Sequence, residues 1–368
     1  MWLKKKMENF VEYLSDRMSL RIPQRESLKI LEEIVKKNSI SKNNNIEKEL
    51  LIIQEKFPNV KDFERNFISV CFSLATGVGK TRLMGAFVTY LYISGISKNF
   101  LIVAPNTTIY EKLINDFSSH SNKYVFKGLD SIIKKKPIIV TGDTWDQGIS
   151  VNENLFGEDF KINIFNIDKI NKEKGRIRKT QEYLGQSYFE YLSSLNDLTL
   201  LLDEAHRYKA KSGYNTLTEI NPILSLELTA TAKYTGSKQT NFKNIIYSYN
   251  LAKAMRDGYI KTPSIVTRKN FEISKLNQDK IDLIKLEDAI HCHEDVKSQL
   301  KTYSINYSKR YVKPFILVVA QNTKHSEKLK KIISSEKFFN GNYKKKVIEI
   351  HTNLKGEESE IATKKLLE

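Results

Sequence analysis

Residues 74–81 are Leu74-Ala75-Thr76-Gly77-Val78-Gly79-Lys80-Thr81. A short apolar run at residues 67–72 precedes this glycine-rich loop, and another at residues 84–92 follows it. The first run is typical of a buried strand and the second of a helix. A glycine loop between a strand and a helix is the setting of a phosphate-binding loop, because glycines let backbone N–H groups surround phosphate oxygens at a helix N-terminus. The stretch therefore predicts a nucleotide site.

Two side chains at the end of this loop supply its chemistry. Lys80 is placed to reach the β- and γ-phosphates, and the Thr81 hydroxyl to ligate Mg²⁺. Leu74 stands where the general pattern has its first glycine, so the loop departs from the generic form there. The predicted nucleotide-binding residues of the loop are Thr76, Gly77, Val78, Gly79, Lys80 and Thr81.

A second element ends an apolar run at residues 198–202 with two carboxylates, Asp203 and Glu204. Parallel α/β sheets bind ligands at the carboxyl ends of their strands, which is also where a phosphate-binding loop lies. We predict that Asp203 holds Mg²⁺, directly or through water, and that Glu204 polarises the attacking water. Taken alone, the pair is equally well explained as a helix cap, and the upstream loop favours the catalytic interpretation.

The fold class follows from several short apolar runs, at residues 100–104, 137–140, 162–167, 198–202 and 226–228. Longer polar or helical connections separate them, which favours a parallel sheet covered on both faces, an α/β domain. Residues 9–37 have helical periodicity. Two further strands are predicted late in the chain, at residues 314–320 and 346–351.

Composition bounds the class of protein. A length of 368 residues suggests two domains, with room for part of a third, and 40% hydrophobic residues exclude general disorder. A mean hydropathy of −0.43 and the lack of a long apolar run exclude a transmembrane protein. Two distant cysteines cannot build a disulfide framework, and the start of the chain does not resemble a secretory signal. We therefore expect a cytoplasmic protein without a membrane partner.

The charge balance is strongly basic, with a net charge of +17. Such an excess favours polyanionic partners, above all nucleic acid. Lysine far outnumbers arginine, and asparagine and isoleucine are abundant, which is also what AT-rich codon usage produces. The charge alone leaves both explanations open.

Three segments, in order, resemble motifs I, II and III of superfamily 2 helicases. They are residues 75–81, the DEAH box Asp203-Glu204-Ala205-His206, and Leu228-Thr229-Ala230-Thr231-Ala232. Residues 100–107 resemble motif Ia, and Pro23-Gln24 is similar to the adenine-reading glutamine motif. Within this superfamily the chain most resembles the Res subunit of type III restriction enzymes, on residues 165–169, 203–208, 249–263 and 319–325. The resemblance spans roughly residues 20 to 350.

This resemblance implies a RecA-like P-loop NTPase domain that binds ATP and Mg²⁺ and acts on DNA as a helicase or translocase. It implies that Gln24 recognises adenine, and that His206, Thr229 and Thr231 couple the nucleotide site to DNA. Asn106 and Thr107, with the adjacent Thr108, are expected to donate hydrogen bonds to nucleic-acid phosphates. In the full-length family, the DNA-dependent ATP hydrolase is coupled to an endodeoxyribonuclease and has a modification methyltransferase subunit as partner.

The same resemblance predicts the domain organisation. Residues 1–65 are an N-terminal helical region with the glutamine motif, and residues 66–262 the first RecA-like ATP-binding domain. Residues 263–311 are a linker, and residues 312–368 an incomplete second RecA-like domain. Nothing after residue 352 resembles motif V or VI, so we expect a truncated motor that binds ATP and hydrolyses it very slowly. The alternatives are a superfamily 2 motor in repair or phage defence without a nuclease, and a non-catalytic nucleotide-dependent DNA-binding remnant.

Weaker signals have plainer explanations. The run His291-Cys292-His293-Glu294 suggests zinc, but no second ligand pair lies at suitable spacing, so an exposed helical turn is favoured. The basic cluster at residues 169–179 is either a DNA-backbone contact or a solvated loop. Packing within the protein explains Trp2 and Trp145 more simply than stacking on nucleic-acid bases does.

Overall fold

The structure is a computed structural model that describes residues 9–129, 133, 136–146, 160–171, 175–181, 186–209, 211–234, 240–269, 272 and 276–350. The chain divides into two compact units, Met1–Pro263 and Ser264–Glu368. Trp2 lies outside the described residues, as do residues 172–174 of the basic cluster and everything after residue 350.

The described part of the first unit begins with three helices, α1 (Phe10–Arg17), α2 (Ile22–Lys37) and α3 (Ile46–Lys56). Each buries an apolar stripe, and Leu14, Leu28 and Ile53 are examples of the residues that these helices contribute to the core. A proline in its first turn suits the start of α2, because proline's fixed φ matches the helix and its missing N–H has no partner there.

A seven-stranded sheet forms the centre of this unit. Its strands lie in the order β3-β4-β2-β7-β8-β1-β9, and every pair between neighbours is parallel. The predicted α/β class with a parallel sheet is therefore confirmed. The strands are β1 (Ile68–Leu74), β2 (Asn99–Ala104), β3 (Ile138–Thr141), β4 (Lys161–Asn166), β7 (Leu198–Asp203), β8 (Leu224–Thr229) and β9 (Ile245–Tyr249).

The connections between these strands are mostly helical, as parallel pairing requires. They are α4 (Lys80–Ile93), α5 (Thr107–Phe117), α6 (Ile167–Asn171), α7 (Tyr188–Ser194) and α8 (Lys211–Ile220), and α9 (Leu251–Arg256) follows the last strand. Two 3₁₀ turns, Arg176–Arg178 and Ala205–Tyr208, and a small antiparallel pair, β5 (Thr180–Gln181) with β6 (Gln186–Ser187), complete the described elements of the unit.

Both faces of the sheet are buried, which explains why the strands are continuous apolar runs rather than alternating ones. On one face, Leu226 of β8 belongs to the same core as the N-terminal helices and α4. On the other face, Leu200 of β7 packs in a core with Trp145 and Tyr188. The Trp145 ring lies 5.5 Å from the Tyr188 ring and is 3% exposed, so the prediction that it is a packing residue is confirmed.

The second unit contains α10 (Gln278–Asn306), α11 (Thr323–Ile333) and a 3₁₀ turn, Phe339–Gly341. A small apolar cluster, formed by Leu286, Ile290, Leu329 and Phe338, is buried within it. The 29-residue helix α10 occupies much of the stretch expected to be a linker. It also contains the run at residues 291–294, so the prediction of a helical turn there is confirmed. Among the residues that the structure describes, no group of His, Cys, Asp and Glu is arranged to hold a metal ion.

The strand predicted at residues 314–320 is wrong. These residues have no regular secondary structure, and Phe315, Leu317 and Val319 are 73%, 79% and 83% exposed. An apolar, β-branched run becomes a strand only when another strand pairs with it, and the described part of this unit contains no strand. Residues 346–350 of the second predicted strand are irregular for the same reason, and residue 351 lies outside the described residues.

Candidate functional site

The glycine loop joins the end of β1 to the start of α4, as the sequence predicts. Gly77 and Gly79 have φ values of +86° and +99°, in the left-handed region that favours glycine. Gly79 is the N-cap of α4, so Lys80 and Thr81 are its first two residues. Thr76 is exposed, Lys80 and Thr81 are half-buried, and Val78 is fully buried. The positive end of the helix dipole therefore lies at the loop, where an anion is stabilised.

Gln24, far away in the sequence, packs directly against this loop. Its amide nitrogen donates to the Gly79 carbonyl oxygen at 2.8 Å, and its amide oxygen accepts from the Arg21 backbone N–H at 2.7 Å. A Cβ atom on Gly79 would lie 2.6 Å from the Gln24 amide nitrogen. The amide nitrogen and the amide oxygen of Gln24 each have capacity for one further hydrogen bond. A cavity of about 340 Å³ opens beside Gln24 and the loop.

Arg21 and Tyr259 contact the same loop, although the sequence analysis did not select either of them. The Arg21 guanidinium donates to the Gly77 carbonyl oxygen at 2.7 Å and lies over the Tyr259 ring, 4.9 Å from its centroid. The Tyr259 hydroxyl accepts from the backbone N–H of Ile22 at 3.4 Å. The segment after α9 thus lies against the glycine loop from the side of β9, the neighbour of β1.

Lys80 and Glu204 meet across the carboxyl edge of the sheet. The Lys80 Nζ lies 3.3 Å from Glu204 Oε1, so the structure brings the loop after β1 and the acidic pair at the end of β7 together. Glu204 has a left-handed backbone, with a φ of +51° and a ψ of +53°. Such a conformation is strained for a residue with a Cβ and often occurs at functional sites.

Asp203 is buried at the end of β7, with 8% of its surface exposed. Its Oδ1 accepts from the Glu204 backbone N–H at 3.1 Å. Burial and then the charge of Glu204 raise the pKa of the Asp203 carboxyl, and Lys80 and Lys112 only partly oppose this. A buried carboxylate beside a second carboxylate is stabilised by a cation, and carboxylate and hydroxyl oxygens are the ligands that Mg²⁺ prefers. Asp203 and Thr81 therefore fit the predicted metal site chemically.

His206 and Thr229 connect the acidic pair to β8. The His206 Nδ1 lies 3.0 Å from the Thr229 hydroxyl and 3.6 Å from Glu204 Oε2. Burial lowers the pKa of His206, although the charge of Glu204 opposes it. The Thr229 hydroxyl also accepts from the Thr231 backbone N–H at 3.0 Å. Thr229 is fully buried, whereas Thr231 is exposed. The structure thus brings motifs II and III into direct contact.

Asn106, Thr107 and Thr108 lie exposed at the carboxyl end of β2, the neighbour of β7. The Asn106 side-chain oxygen caps α5 by accepting from the Ile109 N–H at 2.9 Å. This bond uses an acceptor, so the side-chain NH₂ keeps its donors. In the nearby basic cluster, Arg178 forms a bidentate pair with Glu219 at 2.8 Å, while Lys169 and Arg176 pair with Asp143 and Asp146.

The family of type III restriction enzyme res subunits matches residues 17–234, more than half of the chain. The chain belongs to this family. The match includes the glycine loop, the DEAH box and strand β8 with Thr229, and it confirms the resemblance to the Res subunit. The Res family is helicase-like and implies ATP binding and DNA binding. No curated protein matches the chain. None of the helices in the described ranges is both long enough and apolar enough to cross a bilayer.

Sequence reasoning also missed a buried charged cluster in this Res-family chain. It contains Glu64, Lys209 and Glu227, and Lys209 directly follows the 3₁₀ turn Ala205–Tyr208. No motif marks it, because its members come from three distant segments. An acidic residue inside the apolar run of β8, at position 227, was its one visible signal.

Proposed function

We propose that this chain binds Mg²⁺·ATP and hydrolyses it slowly in a DNA-dependent reaction, as the motor part of a type III restriction–modification-like enzyme. The observation that carries the proposal is the 3.3 Å approach of Lys80 to Glu204 within a chain of the Res family. A lysine of a phosphate-binding loop and a carboxylate that orients the attacking water both act at the γ-phosphate, so a site for nucleotide hydrolysis places them close together.

In this proposal each residue of the site has a separate task. Lys80 and the backbone of residues 76–81 hold the phosphates, and Glu204 orients the attacking water and accepts its proton. Asp203 and Thr81 hold Mg²⁺, which neutralises charge on the β- and γ-phosphates when it is bound. Gln24 uses its remaining donor and acceptor to recognise adenine.

DNA is the proposed partner at the exposed carboxyl edge, where Asn106, Thr107 and Thr108 lie. His206, Thr229 and Thr231 connect this edge to the nucleotide site, so nucleotide binding and DNA binding are coupled. If the net charge of +17 serves DNA binding, affinity falls steeply with salt and depends little on sequence. Filter binding across a salt series measures this dependence. An affinity that does not change with salt would favour codon usage as the explanation of the net charge.

A modification methyltransferase subunit is the proposed protein partner, and the cytoplasm the proposed compartment. Sequencing of the neighbouring genes should reveal a modification methyltransferase, and co-expression of the two chains, followed by affinity purification of one of them, tests the partnership. Recovery of the motor alone would favour the alternative of a repair or defence motor without restriction.

The decisive experiment measures steady-state ATP hydrolysis by the full chain with and without duplex DNA. Lys80→Ala removes charge-assisted hydrogen bonds worth roughly 1.5–3 kcal/mol each, so ATP affinity and hydrolysis both fall. Lys29→Ala is the matched control, since Lys29 only pairs with Glu12 on exposed helix surfaces. Calorimetry that finds equal ATP affinity in the Lys80→Ala variant would contradict the proposal. ATP binding without hydrolysis would favour the non-catalytic remnant.

A further inference from the structure

A lysine next to the DEAH box is held between two buried carboxylates. Lys209 follows the 3₁₀ turn Ala205–Tyr208 directly, and its side chain is 6% exposed. Its Nζ lies 2.7 Å from Glu64 Oε2 and 3.0 Å from Glu227 Oε2. The Glu227 side chain is completely buried on β8, and that of Glu64 is 7% exposed. The proposed functions of the loop and the acidic pair use none of these three residues.

Each carboxylate is also tied to a further segment of the first unit. Glu227 Oε1 accepts from the Ser69 hydroxyl of β1 at 3.0 Å. Glu64 Oε1 accepts from the backbone N–H of Lys243 at 2.7 Å and from the Tyr234 hydroxyl. Tyr234 and Lys243 flank the residues that follow motif III. The cluster therefore joins β1, β8, the residues after motif II and the residues after motif III.

The Lys209–Glu227 contact and the His206–Thr229 contact join the same two segments, the residues around the 3₁₀ turn and strand β8. Lys209 is the C-cap of the turn, three residues after His206, and a 3₁₀ turn repeats every three residues, so the two side chains lie on the same side. Positions 227 and 229 are two residues apart on a strand, so they lie on the same face. The turn is thus fixed to β8 at two points, by His206 with Thr229 and by Lys209 with Glu227.

The charges of the cluster balance, and this explains how the protein tolerates them in its core. Arg65, whose side chain is completely buried, lies 3.9 Å from Glu227, so two cations face two carboxylates. Burial acts to lower the pKa of Lys209, but the charges of Glu227 and Glu64 outweigh it and raise that pKa. Breaking a buried ion pair by removing one partner is strongly destabilising, because the other charge remains buried.

We infer that Lys209 and Glu227 are positioning residues that fix the 3₁₀ turn Ala205–Tyr208 and thereby hold Glu204 against Lys80. Glu204 is the residue immediately before the turn, and its left-handed backbone has to be maintained by its surroundings. Its carbonyl accepts from the Arg207 N–H at 2.9 Å, so a tilt of the turn moves Glu204 directly. The catalytic meaning of this inference rests on the proposed function, but the structural restraint does not.

Hydrogen exchange of the full chain tests the restraint without requiring activity. In Lys209→Met, we expect amides of residues 204–209 to exchange at least about tenfold faster, because local opening becomes easier. Lys209→Arg keeps the charge and should restore exchange to near the wild-type rate. Asp197→Asn is the control: Asp197 accepts from Lys98 and Asn99 at the opposite end of β7, and its loss should affect only that end.

The inference is overturned if residues 204–209 exchange at the wild-type rate in a folded Lys209→Met variant. It is equally overturned if the Asp197→Asn control accelerates those amides as much. If Lys209→Met does not fold, Glu227→Gln decides by the same criteria, since glutamine keeps a hydrogen-bond partner for Ser69 and Lys209 without the charge.

Kinetics then separate this inference from the proposed function. In Lys209→Met we expect kcat for ATP hydrolysis to fall on the order of 10²-fold, because a small misplacement of a catalytic group has effects of this size. KM should stay near wild type, since Lys209 does not contact the glycine loop. If Lys209→Met accelerates hydrogen exchange but leaves kcat unchanged, Lys209 has only a structural role and the inference is overturned. Absence of hydrolysis in the wild type contradicts the proposed function, whereas the exchange result still decides the restraint.

Discussion

The two ends of strand β7 each carry an aspartate, and the two carboxylates have opposite surroundings. At the amino end, Asp197 accepts from the Lys98 backbone N–H and the Asn99 side chain, both at 2.7 Å. At the carboxyl end, Asp203 is buried, accepts one backbone N–H at 3.1 Å, and has Glu204 as its neighbour. The amino edge satisfies its polar groups within the chain. The carboxyl edge concentrates charge that a ligand would stabilise.

The largest expected effect concerns the hydrolytic step at the carboxyl end. In Glu204→Gln we expect kcat to fall about 10²–10⁴-fold, the usual contribution of a general base. ATP binding should remain, because glutamine keeps the shape of the side chain. Steady-state hydrolysis with DNA, compared with Asp197→Asn, measures the contrast. Equal losses in both variants would mean that the two edges do not differ in function.

Gly79 at the carboxyl edge and Gly95 at the amino edge both have positive φ, so the same substitution can be compared at the two edges. In Gly79→Ala the new Cβ meets the Gln24 amide nitrogen at 2.6 Å, whereas Gly95, before β2, has open space around it. Both variants bear backbone strain of about 1–2 kcal/mol. Only Gly79→Ala should also weaken ATP binding, by about tenfold or more. Melting temperatures and calorimetry of both variants provide the test, and equal ATP affinities would contradict it.

A further prediction for the carboxyl edge is a preference for ATP over GTP that depends on Gln24. Gln24 can donate to N7 of adenine and accept from its N6 amino group, and the guanine O6 breaks this pairing. Gln24→Ala should therefore remove an ATP-over-GTP preference of roughly 5–150-fold, from about 1–3 kcal/mol of discrimination. Competition binding measures it. A preference that survives the substitution would assign adenine recognition to other residues.

The smallest effects are on stability, and they have opposite signs at the two ends. Asp197→Asn places an NH₂ group against a donor and should destabilise the fold by about 1–3 kcal/mol. Asp203→Asn should instead raise the melting temperature at pH 7. The pKa of Asp203 in the native protein lies above the ordinary value of 3.8. The native state therefore loses stability, relative to the unfolded chain, as the pH rises above 3.8.

The gain from Asp203→Asn should accordingly vanish below pH 3.8, where the carboxyl is protonated in both the native and the unfolded chain. Thermal melts of both variants across a pH series give the answer. A stabilisation by Asp203→Asn that is independent of pH would show that packing, rather than charge, is responsible.

The sequence predicted the parts of the first unit that depend on local pattern. Apolar runs located six strands of the sheet, and the loop and the acidic pair were predicted to meet, as Lys80 and Glu204 do. Strand β9 was missed, because Ile245–Tyr249 is a short run at the edge of the sheet and Ser248 interrupts its apolar residues.

Where pairing or burial depends on distant segments, the sequence was a poorer guide. The run at residues 314–320 has strand composition without a pairing partner, and Glu227 is buried because Lys209 and Glu64 reach it from elsewhere. Arg21 and Tyr259 are 238 residues apart and meet only in the fold. The roles of the site residues remain predictions.

The order of the strands also determines when the site can form on the ribosome. Strand β1 carries the glycine loop, yet its neighbours in the sheet are β8 and β9, made much later in the chain. Synthesis of the roughly 150 residues between β1 and β8 takes about 8–30 s at 5–20 residues per second. During that interval an apolar strand and the loop that follows it have no sheet partner. We therefore expect the nascent chain to expose apolar surface of the kind that chaperones bind, and bound nucleotide to stabilise the sheet only after β8 and β9 have emerged.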